Sequence, residues 1–204
     1  SEAFTRNEAA GYYAHIAALD QCVGNIIEAL DANGLAENTI LVFASDHGEM
    51  MGSHKRRPYT KQIFWDESCR VPFLLRYPPC TAEHRGRQLT TPLGTVDIMP
   101  TLLSLCGLEI PQPVQGNDLS ACVRDGVERD DHSALYMSVS PFSGHNYLDP
   151  AYRAIRTHRH TFVQTIDGVR YLFDDVDEPY QLNNLAGTPE AAALQSSIEQ
   201  KLKR

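Results

Sequence analysis

The sequence lacks the features that define several classes of protein. Its apolar runs are short, residues 40–44 being the longest, so none can span a membrane. It has no C-x-x-C pair, which argues against a zinc knuckle or a thioredoxin-type site. Positive charge is scarce, since 18 Lys and Arg against 26 Asp and Glu give a net charge of −8. That balance argues against nonspecific nucleic-acid binding.

Several reactive motifs are absent as well. The chain has no G-x-S-x-G elbow, no H-E-x-x-H, no P-loop and no G-x-G-x-x-G. Its five cysteines are an odd number spread over 204 residues, which does not indicate a disulfide framework. We expect them to be buried or incidental thiols. A composition of 42% hydrophobic and 22% charged residues is that of a globular domain.

The first half of the sequence predicts an α/β unit. Between residues 12 and 30, apolar residues recur at the spacing of one helix face, and Asn33-Gly34 supplies the stop. Residues 39–44 are continuously apolar and rich in β-branched side chains, which is typical of a strand buried on both faces of a sheet. A second such strand is predicted over 71–77 and a helix over 100–106.

The pattern changes after Pro111. Short strands are predicted over 134–140, 152–157, 161–166 and 169–173, with Asp167-Gly168 forming a tight hairpin turn between the last two. A closing helix is predicted over 189–202, with Thr188 as its cap. We therefore predict a boundary near residue 110, with an α/β segment at 1–110 and a small antiparallel sheet plus helix at 111–204.

The most specific short motif follows the first predicted strand. Residues 45–49 read Ser-Asp-His-Gly-Glu. In α/β sheets, ligands bind beyond the carboxyl ends of the strands, so Asp46 and His47 lie where a site would be built. A carboxylate beside an imidazole can bind one divalent cation, and Gly48 would let the chain turn away at once. The alternative interpretation is a structural turn beside a half-exposed histidine.

A basic segment comes next. Residues 55–61 hold four cations in a chain of net charge −8: Lys55, Arg56, Arg57 and Lys61. Cations concentrated beside a metal-type pair suit an anionic ligand such as sulfate or phosphate. Taken alone, the segment is equally compatible with a solvated surface loop. Taken together, the two features favour a site that processes an anion.

An ordered set of short motifs runs along nearly the whole chain. The set runs from a Tyr-Tyr-Ala helix through Ser-Asp-His-Gly-Glu, Gly-Ser-His at 52–54 and Asp-Glu-Ser-x-Arg-Val-Pro-Phe at 66–73. It continues with Val-Asp-Ile-Met-Pro-Thr-Leu-Leu at 96–103, Gly-x-Asp-Leu at 116–119 and Arg-Ala-Ile-Arg at 153–156. In this order the motifs resemble the sulfatase family of the alkaline phosphatase superfamily. The resemblance implies the C-terminal part of an alkaline-phosphatase-like α/β core, followed by a small antiparallel subdomain.

The resemblance also implies roles for individual residues. Asp46 and His47 would bind the divalent cation, usually Ca²⁺ in sulfatases and Mn²⁺ or Zn²⁺ in related phosphonate and phosphodiester hydrolases. Imidazole is an unusual Ca²⁺ ligand, so ligand chemistry alone would favour a softer metal. Lys61 would contact the transferred group or the leaving oxygen of the ester, with Lys55 as a competitor for that role. His54 would be a pocket residue.

One part of the family pattern is missing from residues 1–204. Sulfatases use a formylglycine made from the Cys or Ser of a C/S-x-P-x-R motif. No cysteine here has that context, because the proline after Cys69 comes one position too late and no arginine follows it. The upstream Asp pair of the family's metal site is also missing, and the chain opens at Ser1 without an initiator Met or a leader. We therefore expect the C-terminal portion of a sulfatase, inactive as an isolated polypeptide.

Two alternatives remain beside this interpretation. The intact protein would hydrolyse a sulfate ester carried by a small molecule or a glycan. A phosphonate monoester or phosphodiester hydrolase of the same superfamily is the nearest alternative. A non-catalytic module that binds sulfated glycans through the basic segment is the alternative from another class.

Overall fold

A computed structural model describes residues 2–56, 59–80, 82–139 and 150–203. The chain divides into two compact units, Ser1–Pro79 and Cys80–Arg204. The boundary predicted near residue 110, between an α/β segment and an antiparallel segment, stays a prediction. Across the described ranges, no helix combines the length and the apolar character needed to cross a membrane.

The first unit begins with one long helix, α1 (Glu2–Ala32). It starts earlier than the apolar spacing from residue 12 indicates, but it ends as predicted. Gly34 adopts a φ of 66°, and the backbone N–H of Leu35 donates to the carbonyl of Leu30 at 2.9 Å. This left-handed termination satisfies carbonyls at the end of the helix. No residue of α1 is buried.

The first unit also contains a two-stranded antiparallel sheet. Strand β1 (Leu41–Ala44) pairs with β2 (Phe73–Arg76), so that Ala44 lies opposite Phe73. The prediction of strands buried on both faces is wrong for the chain as described, because β1 is half-buried or exposed and Leu74 of β2 is exposed. A sheet of two strands lacks the flanking strands and helix layers that bury both faces of a larger sheet.

A short helix, α2 (Asp66–Cys69), immediately precedes β2. Because β1 and β2 are antiparallel, the residues that follow β1 run beside the residues that precede β2. The Ser-Asp-His-Gly-Glu motif and α2 are therefore brought together by strand pairing.

The second unit opens with α3 (Thr95–Leu105), five residues ahead of the predicted start. The backbone N–H of Gly94 donates to Asp97 Oδ2 at 2.9 Å, so Asp97 caps the helix from its third position. Pro100 consequently lies in the second turn of α3 rather than in the first. Because proline has no backbone N–H, it cannot donate to the carbonyl of Val96. The cap at Gly94 overrides the proline signal that placed the start at residue 100.

The segment 116–119 packs closely on α3. A Cβ built on Gly116 would lie 1.8 Å from the Val96 carbonyl oxygen, so only glycine fits there. The backbone N–H of Leu119 donates to Thr101 Oγ1 at 3.0 Å. Helix α4 (Ser120–Asp125) follows directly. The Gly-x-Asp-Leu motif therefore holds the segment that precedes α4 against α3.

The rest of the second unit is an antiparallel sheet with a closing helix, as predicted. The helix begins at Ala192 rather than Pro189, and Ala191 rather than Thr188 is its N-cap, although the Ala191 N–H donates to Thr188 Oγ1 at 3.3 Å in the turn before it. The strand order is β3-β4-β5-β6, and Gly168 in the last hairpin has a φ of 86°. Ile155, Phe162 and Leu172 lie side by side across the sheet and pack against the closing helix, forming a buried apolar core. The elements are β3 (Ala134–Ser138), β4 (Tyr152–Arg156), β5 (His160–Thr165), β6 (Arg170–Asp174) and α5 (Ala192–Leu202).

Glu128 fastens the segment ahead of α3 to the loop that follows α4. Its carboxylate accepts hydrogen bonds from the backbone N–H groups of Thr90 and Thr91, each at 2.9 Å, and from the Thr91 hydroxyl. Burial by itself raises the pKa of Glu128, but these hydrogen bonds outweigh it, so the pKa lies below its ordinary value of 4.5. The ionised form is therefore the one that the fold stabilises.

We expect acid to destabilise the second unit partly through Glu128. A carboxyl whose pKa is lowered on folding stabilises the fold above its unfolded pKa, and this stability is lost as pH falls through the folded pKa. Urea unfolding of the wild type should therefore show a free energy of unfolding that falls as pH drops below about 4.5, and Glu128→Gln should flatten that fall. Glu109→Gln, at an exposed position, controls for the loss of one charge. Parallel curves for wild type and Glu128→Gln would contradict the assignment.

Candidate functional site

The Asp46–His47 turn lies at the carboxyl end of β1. The Ser45 hydroxyl donates to the His47 carbonyl at 2.8 Å, and the His47 backbone N–H donates to Asp46 Oδ1 at 2.9 Å. Short polar side chains that bond neighbouring backbone groups are typical of tight turns. The Asp46 side chain is 85% exposed and the His47 side chain 36%. The pair is therefore accessible to a ligand.

The His47 ring has a defined orientation. Its Nδ1 lies 2.9 Å from the Gly48 carbonyl oxygen, which can only accept a hydrogen bond. Nδ1 therefore carries the proton, and Nε2 of the neutral ring presents a lone pair. Nε2 lies 3.5 Å from Asp46 Oδ2. Two electron-rich atoms at this separation suit a cation bound to both, since metal–ligand distances run from about 2.0 to 2.6 Å.

Asp46 is held in its ionised form. The hydrogen bond from the His47 backbone is the largest cause that lowers the pKa of Asp46. A small loss of solvation opposes this, and the charge of Lys61 lowers the pKa further. A carboxylate that stays ionised at neutral pH is available as a hard oxygen ligand. The effect of Lys61 also places its charge within electrostatic range of Asp46.

Gly48 is required for space rather than for a left-handed backbone. It has no positive φ, unlike seven other glycines of the described chain. Its N–H donates to the Ser68 carbonyl at 2.8 Å, and a Cβ built on it would lie 1.9 Å from the Glu67 carbonyl oxygen. The prediction that Gly48 lets the chain turn away is thus replaced by a close approach between this turn and α2.

Residues 51–56 and 59–62, called the strained loop below, carry concentrated backbone strain. Arg57 of the predicted basic segment lies outside the described residues. Five of the six non-glycine residues with positive φ in the described chain lie in the strained loop: Met51, His54, Lys55, Tyr59 and Gln62. The loop is anchored by the buried side chains of Met50 and Ile63 and by a hydrogen bond from the Met50 N–H to the Thr60 carbonyl at 3.1 Å. Such conformations cost about 1–3 kcal/mol each and cluster at functional sites. The strain supports a functional role for this segment.

His54 is packed inside the strained loop. Its side chain is only 8% exposed, and its Nε2 lies 3.5 Å from Glu67 Oε2. Its ring is stacked on Trp65, with 3.9 Å between ring centroids and 2° between ring planes. His54 is therefore held by the segment that precedes β2 rather than by Asp46 or His47. Its role as a pocket residue stays a prediction.

Lys61 lies at the far end of the strained loop with its side chain exposed. It stands between Thr60, whose carbonyl is bonded to Met50, and Gln62, which has a φ of 66°. The charge of Lys61 is among those that lower the pKa of Asp46. The choice of Lys61 over Lys55 as the lysine of the Asp46 site stays a prediction.

The donors present fit part of a divalent-cation site. One carboxylate oxygen and one imidazole nitrogen face each other, and this mixed pair suits Mn²⁺ or Zn²⁺ at least as well as Ca²⁺. In the part of the chain that the structure describes, no group of three or more His, Cys, Asp or Glu could hold a metal ion. Asp46 and His47 would therefore need further donors to complete a site.

The sequence did not single out three residues that support the site. Glu67 and Trp65 hold the His54 ring, and the Ser68 carbonyl accepts the Gly48 N–H. The Asp-Glu-Ser run at 66–68 belonged to the ordered motif set, but no role in the site was predicted for it. The antiparallel pairing of β1 with β2, which places this run beside the Asp46 turn, was the information that sequence reasoning lacked.

Comparison with known proteins gives a consistent result. A family model described as Sulfatase matches residues 2–108, more than half of the chain. Over 203 residues the chain is 46% identical to the ulvan-active sulfatase of Formosa agariphila, covering 100% of this chain and 39% of that protein. The chain thus spans well under half the length of this relative.

Solved structures agree with the sequence match. One is BT4656 in complex with its substrate D-glucosamine-2-N,6-O-disulfate, with a TM-score of 0.82 and 26% identity over 92% of this chain and 38% of that one. Another is the phosphonate monoester hydrolase of Agrobacterium radiobacter, with a TM-score of 0.74 and 29% identity over 92% of this chain and 39% of that one.

Sequence, fold and comparisons converge on one conclusion. The structural likeness, the small antiparallel sheet and the closing helix confirm the predicted alkaline-phosphatase-like α/β fold. The family model is described as Sulfatase and the relative from Formosa agariphila is named a sulfatase. Both agree with the family that the ordered motif set resembles. The chain belongs to the sulfatase family.

Proposed function

We propose that this chain forms the C-terminal part of a sulfuric ester hydrolase, and that the intact protein converts a sulfate ester and water into an alcohol and sulfate. The observation that carries the proposal is the pair Asp46 Oδ2 and His47 Nε2, facing each other at 3.5 Å at the end of β1 in a member of the sulfatase family. That pair supplies two donors of different type for one cation.

Each residue of the site has a proposed part in the reaction. Asp46, held ionised, and His47, held with Nε2 unprotonated by the Gly48 carbonyl, would bind the cation. When bound, the cation would polarise the ester oxygens. Lys61 would stabilise the negative charge that develops on the ester. The nucleophile, which the resemblance implies is a formylglycine, would come from the length of the relatives that this chain does not cover.

We propose that the substrate is a sulfated glycan. The similar chain BT4656 has a disulfated glucosamine as its substrate, and the relative from Formosa agariphila is named for activity on ulvan. The described basic residues of the strained loop support a polyanionic ligand, since Lys55 and Lys61 are both exposed there.

A phosphonate monoester hydrolase is the second candidate function. The structural similarity to the enzyme of Agrobacterium radiobacter, at a TM-score of 0.74 and 29% identity, favours it specifically. The Asp46–His47 pair does not distinguish the two, because sulfate and phosphonate esters both present anionic oxygens to a cation.

Turnover measurements on the intact protein separate these functions. We expect kcat/KM for sulfated oligosaccharides or an aryl sulfate to exceed kcat/KM for a phosphonate monoester and a phosphate diester. Dominant phosphonate turnover would overturn the proposal in favour of the second candidate. Binding of sulfated glycans without turnover, unchanged by Asp46→Ala and by chelation, would instead indicate a binding module.

Cation removal tests the donor pair independently of substrate identity. Chelation should abolish turnover by the intact protein, and reloading with Ca²⁺, Mn²⁺ or Zn²⁺ in separate samples should show which ion restores it. We expect His47→Ala to weaken the apparent affinity for the restoring ion by at least about 10–100-fold. His158→Ala, which alters an exposed histidine in the second unit, is the control. Equal ion affinity in wild type and His47→Ala would contradict the assignment of His47.

A further inference from the structure

Tyr59 is an exposed aromatic residue with an unfavourable backbone conformation. Its φ is 68°, in the left-handed region that a bulky side chain rarely adopts. The residue is 67% exposed in the described chain, so burial of the ring contributes little to offset the cost of that conformation. The packing of the described residues therefore does not explain why a tyrosine is held in this way.

His54, in the same strained loop, shows the opposite balance. It is also left-handed, with a φ of 50°. Its side chain is only 8% exposed, however, and its ring stacks on Trp65 with 3.9 Å between ring centroids. Packing offsets the backbone cost at His54. At Tyr59 the ring instead faces outward, as expected for a strained residue whose contact is made by a ligand.

The backbone places Tyr59 close to the Asp46–His47 turn. The chain that leaves this turn is bonded to the strained loop, because the Met50 N–H donates to the Thr60 carbonyl at 3.1 Å. Thr60 lies between Tyr59 and Lys61, and the charge of Lys61 is within electrostatic range of the carboxylate in the turn. Two residues of chain span at most about 7 Å. An aromatic ring and a cation can therefore contact neighbouring groups of one ligand.

A sulfated sugar has the shape and polarity to bind at such a position. One face of a pyranose ring presents C–H groups, so a flat aromatic side chain can pack against it. Tyrosine offers a large and rigid contact area at a low cost in side-chain entropy. Ligand sites commonly combine such aromatic surfaces with a few charged groups that fix the orientation of the ligand. The sulfate would lie toward Lys61, and the C–H face would lie on Tyr59.

We infer that Tyr59 is a specificity-determining residue whose ring stacks on the C–H face of the sugar that carries the reacting sulfate. The inference rests on the proposed function for the sulfate itself, and it adds the contact that recognises the sugar. The charged groups of the site would bind the anion of any sulfate ester. A stacking contact distinguishes a glycan ester from other esters, because specificity is a difference between affinities.

Kinetics of the intact protein test this inference. The substrate is whichever of a sulfated ulvan oligosaccharide and D-glucosamine-2-N,6-O-disulfate the wild type turns over faster. We expect Tyr59→Ala to raise KM about tenfold and to change kcat by less than about twofold, because a stacking contact is present both in the bound substrate and in the transition state. The inhibition constant of inorganic sulfate, which has no sugar, should stay within about twofold of the wild type.

Further variants separate the ring from the backbone and from general surface effects. Tyr59→Phe keeps the ring and should retain the wild-type KM, whereas Tyr59→Leu keeps apolar bulk without a flat face and should raise KM nearly as far as alanine does. Tyr180→Ala is the matched control, since Tyr180 is 71% exposed in the second unit, and it should leave KM unchanged. Thermal unfolding followed by circular dichroism confirms that each variant is folded.

Calorimetric binding gives a readout that does not depend on turnover. Both substrates are titrated into intact Asp46→Ala and into Asp46→Ala/Tyr59→Ala, and we expect the second variant to bind the sugar sulfate about tenfold more weakly. An unchanged KM and unchanged binding in folded Tyr59→Ala and Tyr59→Leu would overturn the inference. Weakening of inorganic sulfate by the same factor as the sugar sulfate would also overturn it, because Tyr59 would then support the site as a whole.

The two proposals can fail separately. Sulfate release by the wild type with no effect of Tyr59→Ala would overturn the stacking role and leave the proposed function in place. Binding of a sugar sulfate that is weakened by Tyr59→Ala, without sulfate release by the wild type, would overturn the proposed function and leave the stacking role. A wild type that neither binds nor hydrolyses either sugar sulfate would overturn both.

Discussion

Replacing Asp97 with alanine should lower the free energy of unfolding of the second unit by about 3–5 kcal/mol. Asp97 is 2% exposed and accepts backbone hydrogen bonds from Gly94 at 2.9 Å and Asn117 at 2.8 Å. It also lies 3.2 Å from Nε2 of the buried His132. Alanine would leave these donors buried without their acceptor, and each such donor costs about 1–3 kcal/mol.

Urea unfolding followed by circular dichroism measures this effect. Asp97→Asn should fall between wild type and alanine, because it keeps an acceptor oxygen in nearly the same shape. Asp130→Ala, at an exposed site nearby, should change stability by no more than about 0.5 kcal/mol. A loss below 1 kcal/mol in Asp97→Ala would show that Asp97 does not tie α3 to the segment before α4.

Replacing Gly48 with alanine should displace the Asp46–His47 turn from α2. The new Cβ would lie 1.9 Å from the Glu67 carbonyl oxygen and 2.9 Å from its carbon, so one of the two backbones must move by about 1 Å or more. Misplacement of this size costs about 100-fold in rate at a catalytic site. We therefore expect kcat/KM of the intact protein to fall at least that far, with loss of the Gly48–Ser68 hydrogen bond.

A second glycine supplies the control for this substitution. Gly24 lies within α1, and a Cβ built there meets nothing within 4 Å. Gly24→Ala should therefore stabilise the helix by about 0.5–1 kcal/mol and leave turnover unchanged. If Gly48→Ala keeps wild-type turnover, the close approach of the turn to α2 is not needed for the reaction.

Local patterns predicted the elements whose signals are local. The Asp167-Gly168 hairpin and the four short strands appear where alternation and turn residues place them, whereas the closing helix begins at Ala192 rather than Pro189. The start of α3 was misplaced because Pro100 is a strong signal, whereas the deciding feature is a hydrogen bond from Gly94 to Asp97 that composition does not reveal. The prediction that β1 is buried was wrong, because the burial of a strand depends on the strands and helices that pack against it, and these are not specified by the sequence of the strand itself.

The candidate site was predictable only where its residues are neighbours in the sequence. Asp46 and His47 are adjacent in sequence, so their pairing is local and motif reasoning could find it. Glu67 reaches the turn and His54 only through the antiparallel pairing of β1 and β2, which no short motif specifies. The residues that hold the site in place were therefore found only in the structure.

The role of Asp46 is tested most directly by the rate of sulfate release by the intact protein and its Asp46→Ala variant, with Asp130→Ala as the control. Asp46→Ala should lower kcat/KM by at least about 100-fold while the protein stays folded, and Asp130→Ala should match the wild type. Sulfate release by Asp46→Ala at the wild-type rate would contradict the claim that the turn at the end of β1 carries the reaction.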